Sequence, residues 1–229
     1  MAYHCVEAVG RSLFAAQGLR FTYTGTEHIP ATGGAVVAIN HTAYVDPLYA
    51  GLAVREAKRW LRFMAKDEVF DHPVAGPIMR STGQIAVDRD RGGDALPEAV
   101  AALRAGELVG VYPEATISRS FELKGFKTGA ARMAAEAGVP IVPMIVWGAQ
   151  RIWTKGVPRR LGRTRTPIRV AIGPPLTPGD DPQATTDELR TAMSALLEQV
   201  HRDYGPYPPG EYWVPARFGG GAPLPEDVD

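Results

Sequence analysis

The sequence predicts an α/β fold, a single domain with a mostly parallel β-sheet flanked by helices. Three observations carry this expectation. Short apolar, β-branched runs alternate with stretches of helical periodicity, the βαβ rhythm of a parallel sheet. The chain has 229 residues, within the range of one large α/β domain that buries about 70% of its unfolded surface. Finally, three of the expected strands end in polar corners, as strands do where a parallel sheet presents its ligand-binding edge.

Taken in order, residues 1–19 read as an amphipathic helix, with Val6, Val9, Leu13, Phe14 and Leu19 on a stripe that either packs on the body or lies on a membrane. Arg20 to Thr24 alternates polar and apolar residues and predicts a strand, closed by a turn over Gly25 to Pro30. Ala35 to Ile39 is too short and too β-branched for a helix and predicts a buried central strand. A helix is expected from Pro47 to Lys58, with Asp46 as its N-cap and Pro47 at its first position.

Trp60–Ala65 predicts the next strand. Lys66 to Ser81 holds Pro73, Gly76 and Pro77 and predicts a broken helix, followed by a strand over Gln84–Val87. Gly92-Gly93-Asp94 punctuates the chain before a helix over Ala95–Arg104, and Leu108–Tyr112 is a short apolar strand. Gly125 to Ala137 is an alanine-rich helix stopped by Gly138. Val139–Trp147 is a strong strand candidate whose Pro140 and Pro143 point to an edge position or a bulge. Ile168–Ile172 is the last strand, and Thr185 to Tyr204 a long amphipathic helix.

The body of the domain is therefore expected over residues 20–204. The Pro- and Gly-rich tail, residues 205–229, should not order on its own, Tyr207, Tyr212 and Trp213 being the residues equipped to dock.

Composition excludes several function classes. Basic and acidic residues balance at 25 each, so bulk charge offers nothing to nucleic acid and any cationic site must be local. The single cysteine, Cys5, rules out an internal disulfide. The five histidines are too scattered to suggest a metal site. No apolar run is long enough to span a membrane, and His4, Glu7 and Arg11 interrupt what would be a signal peptide's apolar core. A soluble or peripheral protein is expected.

The chemistry gathers at Asn40-His41-Thr42-Ala43-Tyr44-Val45-Asp46. A strand delivers His41 to a loop, with Asp46 at the start of the following helix. A carboxylate that accepts one imidazole N–H fixes the tautomer, leaving the other nitrogen to take a proton from a hydroxyl. The plainer alternative makes Asp46 only a helix cap. Two further corners, Gly83 to Arg89 and Pro113-Glu114-Ala115-Thr116, should converge on the same cleft. A serine hydrolase is disfavoured because no Gly-x-Ser-x-Gly elbow is present.

These corners resemble the blocks of the glycerophospholipid acyltransferase family, the bacterial lysophosphatidic acid acyltransferases in particular. His41 and Asp46, separated by four residues, match the first block, and Gly83-Gln84-Ile85-Ala86-Val87-Asp88-Arg89 matches the second. Tyr112-Pro113-Glu114-Ala115-Thr116-Ile117-Ser118 matches the third, with Ala115 in place of the usual glycine and Ile117 in place of the usual arginine. Val139-Pro140-Ile141-Val142-Pro143 matches the fourth.

The resemblance implies an acyltransferase over residues 20–204, in which His41 deprotonates an acceptor hydroxyl and Asp46 orients it. Asn40, Gly83, Arg89, Glu114, Thr116 and Lys127 would serve substrate binding, with Arg89 on the acceptor phosphate and Arg119 or Lys124 covering for the arginine missing at Ile117. The implied partners are a lysophospholipid acceptor, an acyl thioester of coenzyme A or acyl carrier protein as co-substrate, and a membrane surface. The implied location is cytoplasmic, peripheral on the inner face of the cell membrane. No metal or organic cofactor and no nucleic acid is implied. The alternatives are the same transfer to a glycolipid or other lipid hydroxyl, and a catalytically silent lipid-binding protein of the same fold.

Overall fold

The computed structural model describes residues 2–87 and 95–228. After helix α1 (Ala2–Gln17) and strand β1 (Arg20–Thr24), a single 3₁₀ turn over Thr26–His28 leads to β2 (Ala35–Ile39) and α2 (Asp46–Glu56). The chain continues through β3 (Leu61–Lys66), the short helices α3 (Glu68–Asp71) and α4 (Ala75–Ser81), and β4 (Ile85–Val87). The second half comprises α5 (Ala95–Arg104), β5 (Leu108–Val111), α6 (Gly129–Ala137), β6 (Ile141–Trp147), β7 (Pro167–Ile172) and α7 (Pro182–Tyr204).

The strands form one sheet in the order β1-β7-β6-β2-β5-β3-β4, parallel throughout except where β6 meets β7. This is the expected α/β fold. Every residue of β2 is buried, as it must be in a central strand covered on both faces, so an uninterrupted apolar run replaces alternation there. On one face α2 packs Tyr49, Leu52 and Ala53 against Val37, Ile39 and Val142. On the other, α5, α6 and α7 bring Leu103, Met133, Leu189 and Met193 onto Val36, Val109 and Ile145. Each fully buried aliphatic side chain contributes about 1.5–3 kcal/mol, so the two layers hold β2 firmly in the centre of the sheet.

Strand β6 corrects an expectation. Its prolines pointed to an edge or a bulge, yet it lies inside the sheet between β7 and β2. The Val36 amide donates to the Pro140 carbonyl, so even-numbered residues of β6 face β2, and Pro143 faces β7. There β7 has just ended at Ile172, and the pairing resumes only at the Ile141–Leu176 bridge. The Pro143 carbonyl still accepts from Gly173, and its missing N–H falls where no ladder partner is needed.

Helix α1 divides its apolar stripe. Phe14 is buried against Phe21 and Tyr49, whereas Val9 is 60% and Leu13 59% exposed. The tail, residues 205–228, is ordered by docking on the body. Trp213 and Val214 are buried, Tyr207 sets its hydroxyl on His201 Nδ1 at 2.6 Å, and Arg217 pairs with Glu122 and Glu198. Its anchors are thus residues of α7 and the loop after β5, which is how a segment too polar to fold alone becomes ordered.

Candidate active site

Strands β2, β5 and β6 run parallel, so their carboxyl ends open on one edge of the sheet. His41 sits two residues beyond β2 on that edge, its side chain 18% exposed. Its Nδ1 lies 3.1 Å from Asp46 Oδ2, and the same oxygen accepts the amides of Thr42 at 2.8 Å and Ala43 at 2.7 Å. With a buried carboxylate on Nδ1, the neutral imidazole carries its proton there and leaves Nε2 as the basic nitrogen.

The expected N-cap role for Asp46 is corrected. Val45 occupies the cap position, Asp46 is the first helical residue, and its carboxylate turns back onto the preceding loop. Asp46 is completely buried. Burial lifts its carboxyl above the ordinary value, against the opposing pull of His41 and the two amides. Its position in the first turn of α2 also favours the negative charge.

Glu114, beyond β5, closes the loop from the other side. Its Oε1 accepts the His41 amide at 2.8 Å and its Oε2 the Lys124 amide at 3.1 Å, while the Ser118 amide donates to the His41 carbonyl at 2.7 Å. Two loops from different strands are thereby locked through one buried carboxylate. The Tyr112 ring lies against the His41 imidazole, centroids 4.1 Å apart and 23° from parallel, which hinders the imidazole from turning about its Cβ–Cγ bond. This contact escaped sequence reasoning, which read Tyr112 as the end of a strand and the first residue of the third block. Its signal was an aromatic residue two positions before Glu114.

The remaining candidates fall into three groups. Thr116 is exposed and its hydroxyl accepts from Lys124 Nζ at 2.8 Å, which sets a cation beside the third corner, whereas Ile117 is buried. Lys127 is exposed near the same corner, its amide donating to Pro113 at 2.9 Å. Asn40 and Gly83 are placed otherwise. The Asn40 amide spans Val146, donating to its carbonyl at 3.1 Å and accepting its N–H at 2.7 Å, so it ties β2 to β6 below the cleft. Gly83 precedes β4 at the opposite edge of the sheet, in a left-handed conformation at φ 63° that ends α4, and its carbonyl accepts from Arg62 Nε. Arg89 lies outside the described residues.

The departure at Ala115 has a backbone consequence. Ala115 is left-handed, at φ 63°, between the Tyr112 carbonyl that accepts its amide and the Thr116 amide bonded to Glu114. That conformation costs an alanine about 1–2 kcal/mol relative to a permissive residue. The turn shape is kept although the residue suited to it is not.

Among the described residues no cluster of His, Cys, Asp and Glu suited to a metal ion occurs. The arrangement, a part-exposed histidine with one nitrogen held by a buried carboxylate, is one that can serve as a general base for a hydroxyl.

Comparison with known proteins bears on the family and the fold. The chain is 28% identical to the 1-acyl-sn-glycerol-3-phosphate acyltransferase of Bacillus subtilis over 76% of its own length and 82% of that protein. It is 32% identical to the mouse 1-acyl-sn-glycerol-3-phosphate acyltransferase alpha over 81% of this chain and 66% of that one, so it spans about two thirds of the longer relative. The crystal structure of the 1-acyl-sn-glycerophosphate acyltransferase PlsC from Thermotoga maritima superposes with a TM-score of 0.72, at 22% identity, over 87% of this chain and 80% of that one, and shares its fold. The acyltransferase family model matches residues 20–147, more than half of the sequence and the whole span from β1 to the end of β6. The chain belongs to the acyltransferase family.

Proposed function

We propose that the chain moves a fatty acyl group from an acyl thioester, of coenzyme A or acyl carrier protein, to a hydroxyl of lysophosphatidate or a related glycerophospholipid. The observation that carries this reading is the His41–Asp46 contact at the carboxyl edge of the sheet. The acceptor hydroxyl gives its proton to His41 Nε2 as its oxygen forms a bond to the thioester carbonyl carbon. The tetrahedral intermediate then collapses, breaking the carbon–sulfur bond, and the departing thiolate recovers the proton from the imidazolium. Asp46 stabilises that imidazolium through Nδ1. The sequence of steps needs a base and an oxyanion site, and no metal or organic cofactor.

The names of the Bacillus and mouse relatives support a glycerophospholipid acceptor. Such an acceptor resides in a bilayer. No helix among the described residues is long and apolar enough to cross one, so the enzyme would work from the inner surface of the cell membrane, with exposed Val9 and Leu13 of α1 meeting the lipid.

A second reading, transfer to a glycolipid hydroxyl, is favoured by one feature: the position of the family's usual arginine is filled by Ile117, which is buried. The two readings separate on Arg89. Initial rates of wild type and Arg89→Ala are measured with lysophosphatidate and with a phosphate-free acceptor, products identified by mass. Loss of about 10- to 150-fold confined to lysophosphatidate supports the phosphate acceptor. Equal losses on both acceptors overturn it, and no acyl product from either overturns the acyl transfer itself.

A further inference from the structure

Charge is balanced over the whole chain, but the segment joining β6 to β7 is not balanced. Between Arg151 and Thr166 it carries six basic residues and no acidic one. Four of these arginines, Arg151, Arg159, Arg160 and Arg163, line a single open pocket of about 530 Å³ together with Thr164 and Thr166. None of the four belongs to an ion pair among the described residues. Guanidinium groups gathered without carboxylates repel one another, and the ligand that relieves this is a polyanion whose oxygens match their planar forks.

The pocket is built as well as charged. Arg151 forms its back wall, held by an Nη1 hydrogen bond to the Tyr204 hydroxyl at 3.1 Å and by the Trp213 ring 4.1 Å from its Cζ. Its Nε is buried without a hydrogen-bond partner. Thr166 is buried beside it and donates to Thr164 at 2.9 Å. Arg159 stands at the rim, 5.5 Å from the Trp153 ring.

Its position matters more than its charge. Because β7 runs antiparallel to β6, the connecting loop lies at the same edge of the sheet as His41. The loop is bonded directly to the catalytic one: Thr154 Oγ1 donates to the Thr42 carbonyl at 2.6 Å, the Tyr44 amide donates to the Trp153 carbonyl at 3.0 Å, and the Tyr44 and Trp153 rings meet at 5.2 Å. In the sheet order β7-β6-β2-β5-β3-β4, His41 is flanked by the Glu114–Thr116 corner on the β5 side and by the arginine pocket on the β6 side. β6 adjoins β2 and the pocket spans the connection from β6 to β7, so it lies on the order of two strand spacings, roughly 10 Å or more, to the side of the histidine.

We propose that this pocket binds the phosphates of coenzyme A, the 3′-phosphate and diphosphate of its nucleotide end, and so makes the coenzyme A thioester the acyl donor. The inference rests on the acyl-transfer reading for its role. It does not rest on that reading for the binding itself. The nucleotide end would sit among the arginines, and the flexible pantetheine arm would run past Trp153 and Tyr44 to bring the thioester to His41.

The test compares wild type with an Arg159→Gln/Arg160→Gln variant, whose fold is checked by thermal melting. Coenzyme A binding is measured by calorimetry without acceptor, with adenosine 3′,5′-bisphosphate as competitor. The variant is expected to bind coenzyme A about 10- to 100-fold more weakly. The kcat/KM preference for palmitoyl-coenzyme A over palmitoyl-pantetheine, which lacks the nucleotide, should fall by a similar factor.

Unaltered coenzyme A binding in a folded variant overturns the proposal. So does loss confined to sedimentation with anionic phosphatidylglycerol vesicles, which would make the pocket a lipid headgroup site, or loss confined to transfer from acyl carrier protein. If wild type does not bind coenzyme A but still transfers from another thioester, this proposal falls and the acyl-transfer reading stands. If coenzyme A binds through the two arginines but no lysophospholipid is acylated, the pocket assignment stands and the acyl-transfer reading falls.

Discussion

His41 Nδ1 meets Asp46 Oδ2 at 3.1 Å, and that single oxygen also gathers the amides of Thr42 and Ala43. One atom therefore shapes the loop and sets the tautomer of the base that the loop carries. His41→Ala should lower turnover by about 10²–10⁴ while melting stays near that of wild type, because the residue contributes a proton acceptor and one ring contact. Asp46→Asn should lose less, since its carbonyl can still accept the three N–H groups but carries no charge to stabilise an imidazolium. Turnover and melting measured on the same preparations check both; near-normal turnover in His41→Ala removes the mechanism.

Glu114 is expected to act through the backbone. Its two oxygens accept amides from different loops, at His41 and Lys124, and it is 5% exposed. Glu114→Gln places an NH₂ against one of those N–H donors. Leaving a buried donor unsatisfied costs about 1–3 kcal/mol, so the variant should melt earlier and lose activity together. A loss of activity with an unchanged denaturant midpoint would instead assign Glu114 to direct contact with the acceptor.

What the sequence made legible follows the range of the interactions involved. Strands β1 and β2 lie at their expected bounds, because alternation and a β-branched apolar run are local signals, and the pairing of His41 with Asp46 spans one turn. Asp46 was misassigned as a cap because the same residue type at a helix start can bond forward or backward, and only the folded loop selects the direction. Asn40 was grouped with the substrate residues, but its partner Val146 is 106 positions away. Pro143 lies in an interior strand because the neighbouring strand ends opposite it, a fact of register that no window around Pro143 contains. The basic run between Arg151 and Thr166 is a local feature of the sequence, but that four of its arginines line one cavity is a fact of the folded loop.

Ala115→Gly tests whether the third corner is strained. Replacing alanine by glycine within regular structure ordinarily costs about 0.5–1 kcal/mol through the greater freedom of the unfolded chain. At φ 63° the alanine already carries a comparable or larger penalty. The variant should therefore equal or exceed wild type in stability, by up to about 1 kcal/mol, with activity retained. A denaturant midpoint lowered as in an ordinary Ala→Gly exchange would show that the turn is not strained.

The docked tail should be sensitive to acid through His201. Burial, followed by the nearby Arg217, lowers its imidazole pKa to about 4, with Glu198 opposing. Tyr207 holds its Nδ1 at 2.6 Å, and the Trp147 and Phe218 rings pack around it. A histidine held neutral in the folded state contributes stability that is present above the unfolded pKa of about 6.5 and lost as pH falls through about 4. Over those 2.5 or so units the loss approaches about 3 kcal/mol. His201→Phe keeps a ring against Trp147 and removes the titration. Denaturant unfolding of both proteins from pH 8 to 4 should show the wild type losing stability relative to the variant between pH 6.5 and 4. The tail aromatics should release in the same window, read as a shift in the fluorescence of Trp213. A stability difference that is independent of pH would place the acid sensitivity elsewhere, first at the Glu122 and Glu198 partners of Arg217.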